Sequence, residues 1–297
     1  MPRSRPVRTP AVAQSGPELL DQPVVRSPRN PRVKAAASLA SRRARDAEGR
    51  YLVEGPRFVS ELLSTGDVEE VFALPHFAAD LTDAVERAAA RLTLVEAPVL
   101  RRLADSVSPQ GVVAVARQRR GQLADVVGGG FLIVLCGAAD PGNVGSAIRT
   151  ATAAGASGVV LTSGSVDPWN PKAVRSSAGS VARLPLVVDV EVDQLLAACR
   201  SVGQRFLALD PSATGSIEVS GILQPPVALL FGNEAHGLPQ SVVGTVEAVS
   251  IPRYGPIESL NLGAAVAVAA YAAARAARTG PPPTSPGPAG TLRYPVR

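Results

Sequence analysis

The chain has 297 residues, of which 46% are hydrophobic and 19% are charged, and its formal net charge is +5. This length fits one large or two ordinary domains, and the apolar content is sufficient for a real core. Residues 1–50 carry eleven Lys and Arg against four acidic residues, so the basic excess is concentrated at the N-terminus. A basic end suggests contact with nucleic acid, although a solvated, disordered tail explains it equally well.

The use of cysteine and histidine argues against several classes of site. Cys136 and Cys199 lie in apolar stretches and form no metal-binding spacing, so neither a disulfide nor a zinc site is supported. His76 and His236 are the only histidines, so a Ser-His-Asp triad would need one of them. The N-terminus has no apolar signal core, and the longest apolar run, Leu262 to Ala274, is too short to span a bilayer. We expect a cytoplasmic protein that uses no metal and contacts no membrane.

Composition divides the chain into five segments in order. We predict a disordered basic tail at 1–33, a small α/β domain at 34–119, a charged linker at 120–130, a larger α/β domain at 131–279 and a disordered Pro/Gly tail at 280–297. The small domain combines helix-like charged segments, above all the stretch from Ala37 to Gly66, with the apolar strands "EEVFAL", "LTLVEA" and "GVVAVAR".

The larger domain has the pattern of a parallel sheet. Apolar runs of four to seven residues recur in it, and segments of helical period separate most of them: "FLIVLC", "GVVL", "LPLVVDV", "FLALD", "VALLFG" and "EAVSIP". Continuous apolar strands that alternate with helices predict a sheet with both faces covered. Ligands of such sheets bind beyond the carboxyl ends of the strands, so the loops after "FLIVLC", "VALLF" and "EAVSIP" are the candidate sites.

The first loop leads into a predicted helix that Asn143 can cap. Gly145 and Arg149 are four residues apart and share one helix face, which Gly145 leaves open beneath the Arg149 side chain. A cation beside a bare helix start suits a phosphate, although a surface arginine on an ordinary βα unit fits too. A Walker A loop and the G-x-G-x-x-G fingerprint are both absent, which argues against a dinucleotide-binding enzyme.

The other two loops also carry polar residues. Glu234 lies between Gly232 and Gly237 in a predicted tight turn, where it either contacts a ligand or is simply exposed. In "IPRYGPIESLNLGAAVAVAAY", Ser259 or Asn261 can cap the following Ala/Val-rich helix, with or without a further role.

Together the three loops resemble a known family. "NVGSAIR", "LLFGNEAHGL" and "IPRYGPIESLNLGAAVAVAAY" are similar, in order and spacing, to motifs one to three of the SpoU/TrmH-type RNA 2′-O-ribose methyltransferases. "NPKAVRSSAG" resembles the segment between the first two motifs, and "YLVEGPRFVSELL" resembles part of the substrate-binding domain of the rRNA-modifying branch.

The resemblance implies a SPOUT fold, which is a parallel sheet with a C-terminal trefoil knot, preceded by a small α/β domain similar to an RNA-binding ribosomal protein. It implies a homodimer that binds S-adenosylmethionine in the knot and methylates a ribose 2′-hydroxyl of RNA. The resemblance implies that mainly backbone groups hold this cofactor, and the matching positions are Leu230, Gly232, Ile251, Pro252 and Leu260.

The resemblance gives Arg149 the central catalytic role, with Asn143, Glu234, Ser259 and Asn261 around it. A guanidinium normally stays protonated, so we expect Arg149 to hold the target phosphate and the developing oxyanion. A phosphate oxygen or a deprotonated Arg149 would take the proton, and the sequence leaves both open. Candidate substrate contacts are Arg42, Arg43, Arg45 and Arg175.

The resemblance of the small domain to the family's substrate-binding domain, together with the basic tail, implies ribosomal RNA as the substrate, particularly that of the large subunit (23S). The basic arm can bind phosphates without base specificity. Transfer RNA is the alternative substrate. A non-catalytic RNA-binding or assembly factor on the same fold, and an enzyme that methylates a base, remain open. The sequence also leaves open whether the role is housekeeping or antibiotic resistance.

Overall fold

A computed structural model of the protein describes residues 23–278. Residues 1–22, which are most of the predicted N-terminal tail, and the whole predicted C-terminal tail (280–297) lie outside the described residues. The remainder forms two sheets, one in each predicted domain.

The small domain is a four-stranded mixed sheet with helices packed against it. Strand order is β1-β4-β2-β3; β4 is antiparallel to both of its neighbours, and β2 is parallel to β3. Its elements are α1 (Pro31–Ser38), α2 (Arg42–Glu48), β1 (Arg50–Glu54), α3 (Pro56–Leu63), β2 (Val68–Ala73), α4 (Ala78–Arg87), β3 (Arg91–Leu94), α5 (Ala97–Leu103) and β4 (Val112–Arg117).

Two expectations for this domain need correction. The tail boundary at residue 33 falls inside α1, where Val33 is fully buried, and Val25 already pairs with the end of β3 through its N–H to Leu94 O at 2.8 Å. The stretch read as helical, 37–66, contains β1, whose residues alternate between buried and half-buried. Gly49, in the left-handed region at φ +63°, ends α2 and releases the chain into this strand.

The large domain is a seven-stranded, wholly parallel sheet in the order β7-β6-β5-β10-β8-β11-β9, as the apolar runs predicted. The two-residue strand β9 was not predicted. The elements are α6 (Leu123–Val126), β5 (Phe131–Leu135), α7 (Pro141–Ala154), β6 (Gly158–Thr162), α8 (Pro171–Ser176), β7 (Leu186–Val190), α9 (Val192–Ser201), β8 (Arg205–Leu209), β9 (Gly215–Ser216), β10 (Val227–Phe231), β11 (Glu247–Ser250) and α10 (Leu262–Ala276).

Helices cover both faces of the large sheet. Ile133 of β5 packs in the same core as Ile148 of α7 and Val266 of α10. Val134, the next residue of the strand, faces the other way and packs with Leu195 of α9. Strands β5, β6 and β10 are therefore buried along their whole length, which is why these runs lack the alternation of a half-exposed sheet.

Residues 120–130, the predicted linker, pack against the rest of the chain and do not form a free connection between the domains. It contains α6, and Val126 is 1% exposed. The Arg120 guanidinium lies 5.2 Å from the centre of the Trp169 ring, a cation–π contact.

A buried ion pair joins the two domains. Arg45 of α2 is 2% exposed and Asp167, in the loop after β6, is 5% exposed; Arg45 Nε and Nη2 both lie 2.7 Å from Asp167 Oδ2. Arg45 Nη1 donates to the carbonyl oxygens of Leu39 and Ala40, both at 2.8 Å. The guanidinium is therefore satisfied inside the joint, and α8 packs against β1 beside it.

Within residues 23–278, no helix is long and apolar enough to cross a membrane. The same range contains no group of three His, Cys, Asp or Glu side chains arranged to hold a metal ion. Both cysteines are free thiols, and burial raises the pKa of Cys136 to about 12 and that of Cys199 to about 11.

Candidate active site

A cavity of about 560 Å³ lies at the carboxyl ends of the large sheet's strands. β10 lies between β5 and β8, and β11 follows β8, so the loops after these four parallel strands meet at one edge. The volume of the cavity is typical of a small-molecule site. The cavity is lined by Asn143, Leu209, Asp210, Pro211, Phe231, Gly232, Asn233, Glu234, Gly237, Leu238, Ile251, Arg253, Ser259, Leu260, Asn261, Leu262 and Ala265.

The turn after β10 forms one wall of this cavity. Asn233 and Gly237 exchange two backbone hydrogen bonds, at 2.8 and 2.9 Å, and Gly237 has φ +69°. A Cβ on Gly232 would lie 2.3 Å from the Gly237 carbonyl carbon, so only glycine fits there. Asn233 fixes the turn, because Nδ2 donates to Gly137 O at 2.6 Å and Oδ1 accepts the N–H of Ala235 at 2.8 Å.

Glu234 connects this turn to the loop after β5. Its carboxylate accepts the N–H of Ala139 at 3.1 Å, the N–H of Asp140 at 3.4 Å and the Asn143 side-chain amide at 2.9 Å. The acid predicted from the turn pattern therefore holds a neighbouring loop.

Asn143 continues the connection to the third loop. Its Oδ1 accepts Asn261 Nδ2 at 2.9 Å, and Asn261 Oδ1 accepts the N–H of Gly263 at 2.9 Å, so Asn261 caps α10. The three side chains Asn143, Glu234 and Asn261, the site triad below, thus connect three strand-end loops. The hydroxyl of Ser259 lies at the same cavity on an exposed residue.

The cap of α7 is not the residue that we predicted. Asp140 is the N-cap, and its Oδ1 accepts the N–H of Asn143 at 2.9 Å. An aspartate satisfies the free N–H groups of a first helical turn as well as an asparagine does. The Asn143 side chain is consequently free to join the site triad.

Hydrogen bonds lower the pKa of two carboxylates at this edge, Glu234 and Asp140. Burial raises the pKa of Glu234, but hydrogen bonds from Asn143 and from backbone N–H groups outweigh it, and the pKa lies below its ordinary value. The hydrogen bond from the Lys172 ammonium and that from the Asn143 N–H lower the pKa of Asp140. A carboxylate with a lowered pKa is a weak base at neutral pH, so Glu234 is suited to orient Asn143 and not to remove a proton.

The face at Gly145 is closed, contrary to the prediction that it stays open. A Cβ there would lie 1.9 Å from Ser176 Oγ and 2.3 Å from Ala173 O, so Gly145 lets α8 pack directly on α7. Arg149 is exposed one turn further along, and it is not among the residues that line the cavity. It lies six residues beyond Asn143, which is about 9 Å along the helix axis.

The predicted cofactor residues divide into two groups. Gly232, Ile251 and Leu260 line the cavity. Leu230 is fully buried within β10 and packs in the core, and Pro252 does not line the cavity. The expected contacts are mainly those of backbone groups, which side-chain burial does not exclude, so cofactor contacts of Leu230 and Pro252 stay a prediction.

The predicted substrate arginines also differ in their surroundings. Arg45 is buried in the domain joint and is therefore unavailable to RNA, which corrects its prediction. Arg42 is exposed and pairs with Asp46 and Asp189 at 3.5 Å. Arg43 is exposed, and Arg175 pairs with Asp105 at the boundary between the domains.

Comparison with known proteins adds independent information. Residues 130–271 match the model of the SpoU rRNA Methylase family, and residues 30–114 match the MRM3-like substrate binding domain. An uncharacterized tRNA/rRNA methyltransferase of Synechocystis is 34% identical over 84% of this chain and 93% of the relative. The chain belongs to the SpoU methylase family. The 23S rRNA (uridine(2479)-2′-O)-methyltransferase of Streptomyces viridochromogenes is 32% identical over 96% of this chain and 100% of that relative.

Solved SpoU structures have the same fold. The AdoMet-bound rRNA methyltransferase from Sinorhizobium meliloti superposes with a TM-score of 0.77 at 28% identity, covering 85% of this chain and 97% of that one. AviRb of Streptomyces viridochromogenes, in complex with AdoMet, gives a TM-score of 0.74 at 28% identity, covering 83% and 98%. The α/β fold with its parallel sheet is therefore that of SpoU methyltransferases.

Sequence reasoning missed three polar residues at this edge, Asp210, Asn233 and Arg253. Asp210 directly follows β8 and lines the cavity, and the strand-end rule would have found it had the loop after "FLALD" been considered. Asn233 directly precedes Glu234. Its side chain donates a hydrogen bond to Gly137 O, 96 residues away, and no local sequence pattern indicates a contact over that distance.

Proposed function

We propose that this SpoU family protein transfers a methyl group from S-adenosylmethionine to a ribose 2′-hydroxyl of ribosomal RNA, most specifically 23S RNA. The observation that carries the proposal is the convergence of the site triad on one cavity at the carboxyl ends of parallel strands. Relatives named as 23S rRNA 2′-O-methyltransferases, which match 79% or more of this chain, support the choice of substrate.

The cavity fits the proposed methyl donor. Apolar side chains, including Leu238, Leu260 and Leu262, suit an adenine ring, while the carboxylates of Asp210 and Glu234 suit a positively charged ligand. The residues that we propose to hold it are Gly232, Ile251 and Leu260 together with these side chains. When bound, S-adenosylmethionine supplies a methyl group already activated on a sulfonium.

The chain's own residues then align the ribose hydroxyl and stabilise the charge that it develops. We assign Asn143 and Glu234 to orient the ribose, and Ser259 and Asn261 to fix the hydroxyl and its loop. Arg149 holds the target phosphate and the oxyanion, and a phosphate oxygen or a deprotonated Arg149 takes the proton. Because Arg149 lies outside the cavity lining of a single chain, this role needs a second copy or a side-chain movement upon RNA binding.

The second copy is supplied by a homodimer. Ala264, Val268 and Tyr271 form an exposed apolar stripe at helical spacing on α10, whose first turn also lines the cavity. We propose that this stripe is the dimer interface beside Arg149. Light scattering should report two copies for the native protein and one for Val268→Arg/Tyr271→Arg, with Val202→Arg, directly after the end of α9, as an exposed-valine control. A monomeric native protein would refute this part.

Three finer features of the family belong to the same proposal. We propose that the chain beyond β11 threads through the loop after β10 as a trefoil knot, which places Ser259–Asn261 beside Glu234. We propose that the small domain is similar to an RNA-binding ribosomal protein and that the protein works in the cytoplasm. The packing of α10 against α7, β5 and β10 supports the first of these.

The decisive experiment measures methyl transfer from labelled S-adenosylmethionine to an unmethylated 23S transcript, followed by nuclease digestion and mass analysis of nucleosides. We expect 2′-O-methyl nucleosides, and we expect Arg149→Ala to lose incorporation while binding of the methyl donor, measured by calorimetry, is retained. Arg200→Ala, an exposed arginine of α9, serves as the control.

Other outcomes of this experiment select the alternatives. A methylated base in place of ribose would refute the proposed acceptor. Incorporation into transfer RNA alone would favour the tRNA enzyme, and donor binding without incorporation into any RNA would favour a non-catalytic RNA-binding or assembly factor. Mapping of 2′-O-methyl sites in cells with and without the gene would identify the nucleotide.

A further inference from the structure

A second cavity, of about 220 Å³, lies in the cleft between the two domains. Its small-domain wall includes Glu54 at the end of β1 and Arg101 and Arg102 in the last turn of α5. Its large-domain wall includes Pro171 and Arg175 of α8. We call this the interdomain cleft.

The charges around the interdomain cleft leave two guanidiniums free. Asp105 pairs with Arg175, and Glu54 accepts the N–H groups of Asp105 and Ser106 at 3.1 Å. Arg101 and Arg102 are exposed, and neither has a carboxylate partner among residues 23–278. The cleft therefore offers two unengaged cations beside two carboxylates that neighbouring groups already hold.

The cleft has a fixed width. The buried pair of Arg45 and Asp167 locks α2 to the large domain, and side chains of β1 share one core with Val174 of α8. Arg101 and Arg102 lie on one wall whose position relative to the other domain is fixed, so a polyanion that binds in the cleft requires little rearrangement of the domains.

The cleft also leads towards the active site. Pro171 lines the cleft, and Lys172, the next residue, places its Nζ 2.8 Å from Asp140 Oδ2. Asp140 in turn donates its N–H to Glu234 of the site triad. The first turn of α8 thus joins the cleft to the loop that carries the proposed reaction.

We propose that the interdomain cleft binds the sugar–phosphate backbone of the RNA adjacent to the target nucleotide, with Arg101 and Arg102 as phosphate contacts. The proposal rests on the proposed function, because it states how that function's substrate is held. Guanidiniums match phosphate geometry through paired N–H donors. Contacts of this kind fix the register of the RNA and carry no sequence information.

The test is the double variant Arg101→Gln/Arg102→Gln, compared with Arg87→Gln/Arg91→Gln. The control pair is exposed, lies in the same small domain at the end of α4 and the start of β3, and removes the same charge away from the cleft. Binding to an unmethylated 23S transcript is measured at several salt concentrations, and binding of S-adenosylmethionine is measured on the same samples.

We expect the cleft variant to bind the transcript about tenfold more weakly than the native protein, with donor affinity unchanged. The slope of log K against log salt should fall by about 1.4, since each single-strand phosphate contact contributes about 0.7. The control pair should keep the native slope.

A cleft variant with the native slope and affinity would overturn the proposal, as would an equal loss in the control pair. Methylation is assayed separately from RNA binding, so the proposed function and the role of the interdomain cleft can be refuted independently. Methylation with an unchanged slope refutes the cleft and leaves the proposed function standing. A lowered slope without methylation supports the cleft and refutes the proposed function.

Discussion

Two polar networks connect distant parts of this chain, and they differ in their exposure to water. The domain joint pairs Arg45 with Asp167, 122 residues apart, and excludes solvent from both side chains. The site triad connects Asn143 with Glu234 and with Asn261, 91 and 118 residues apart, at the rim of an open cavity. The first geometry suits a structural joint, and the second suits a site that must admit a ligand.

Similar hydrogen-bonding chemistry therefore has different energetic consequences in the domain joint and in the site triad. Removal of one partner from a buried ion pair leaves an uncompensated charge inside the protein, which is strongly destabilising. Removal of one partner at a hydrated rim leaves a group that water can satisfy. We therefore expect stability to depend on the joint and activity to depend on the site triad.

The largest expected effect is that of Asp167→Ala. The Arg45 guanidinium would stay buried without its counter-charge, so the free energy of unfolding should fall by about 3–5 kcal/mol. Urea denaturation followed by circular dichroism measures this change. The matched control is Arg45→Met/Asp167→Leu, which removes both charges and should recover the part of the loss that comes from the unpaired guanidinium. The Leu39 and Ala40 carbonyls and the Trp169 N–H still lose their partners, so the recovery should be partial. If Asp167→Ala were as stable as the native protein, stability would not depend on the domain joint more than on the site triad.

For Asn143→Ala we expect a smaller effect on stability and a large effect on activity. The change breaks the amide contacts to Glu234 and Asn261 where water can replace them, so unfolding free energy should fall by no more than about 1 kcal/mol. Methyl incorporation should fall about a hundredfold, because the reacting groups lose their orientation. The same urea titration and the transfer assay measure both quantities. A loss of stability as large as that of Asp167→Ala would show that the site triad is structural.

The smallest expected effect is a decline in the affinity for S-adenosylmethionine at acid pH. The pKa of Glu234 in the folded protein lies below its ordinary value of 4.5, so its contribution is present above that value and is lost as pH falls through the lowered pKa. Affinity for S-adenosylmethionine should therefore be constant from neutral pH down to about 4.5 and decline only below it. Calorimetry across this range should show a smaller acid decline for Glu234→Gln. A native affinity that falls already near pH 6 would contradict the role assigned to this carboxylate.

The sequence by itself determined the parallel sheet of the large domain and the three loops that meet at its edge. Uninterrupted apolar runs such as "FLIVLC" have one stable environment, a strand buried on both faces, and ligands bind at the carboxyl ends of such strands. Glu234, Asn261 and Ser259 were found in this way, because local turn and capping patterns mark them.

Only the tertiary structure decided which polar group pairs with which. The "RRAR" stretch looks uniformly basic, yet Arg45 is buried against Asp167 while Arg43 is exposed. Asp140 and not Asn143 caps α7, and α8 closes the face at Gly145 that the pattern left open. Helical periodicity and composition are properties of neighbours in the chain, whereas burial and pairing depend on segments that lie scores of residues away and approach only after folding.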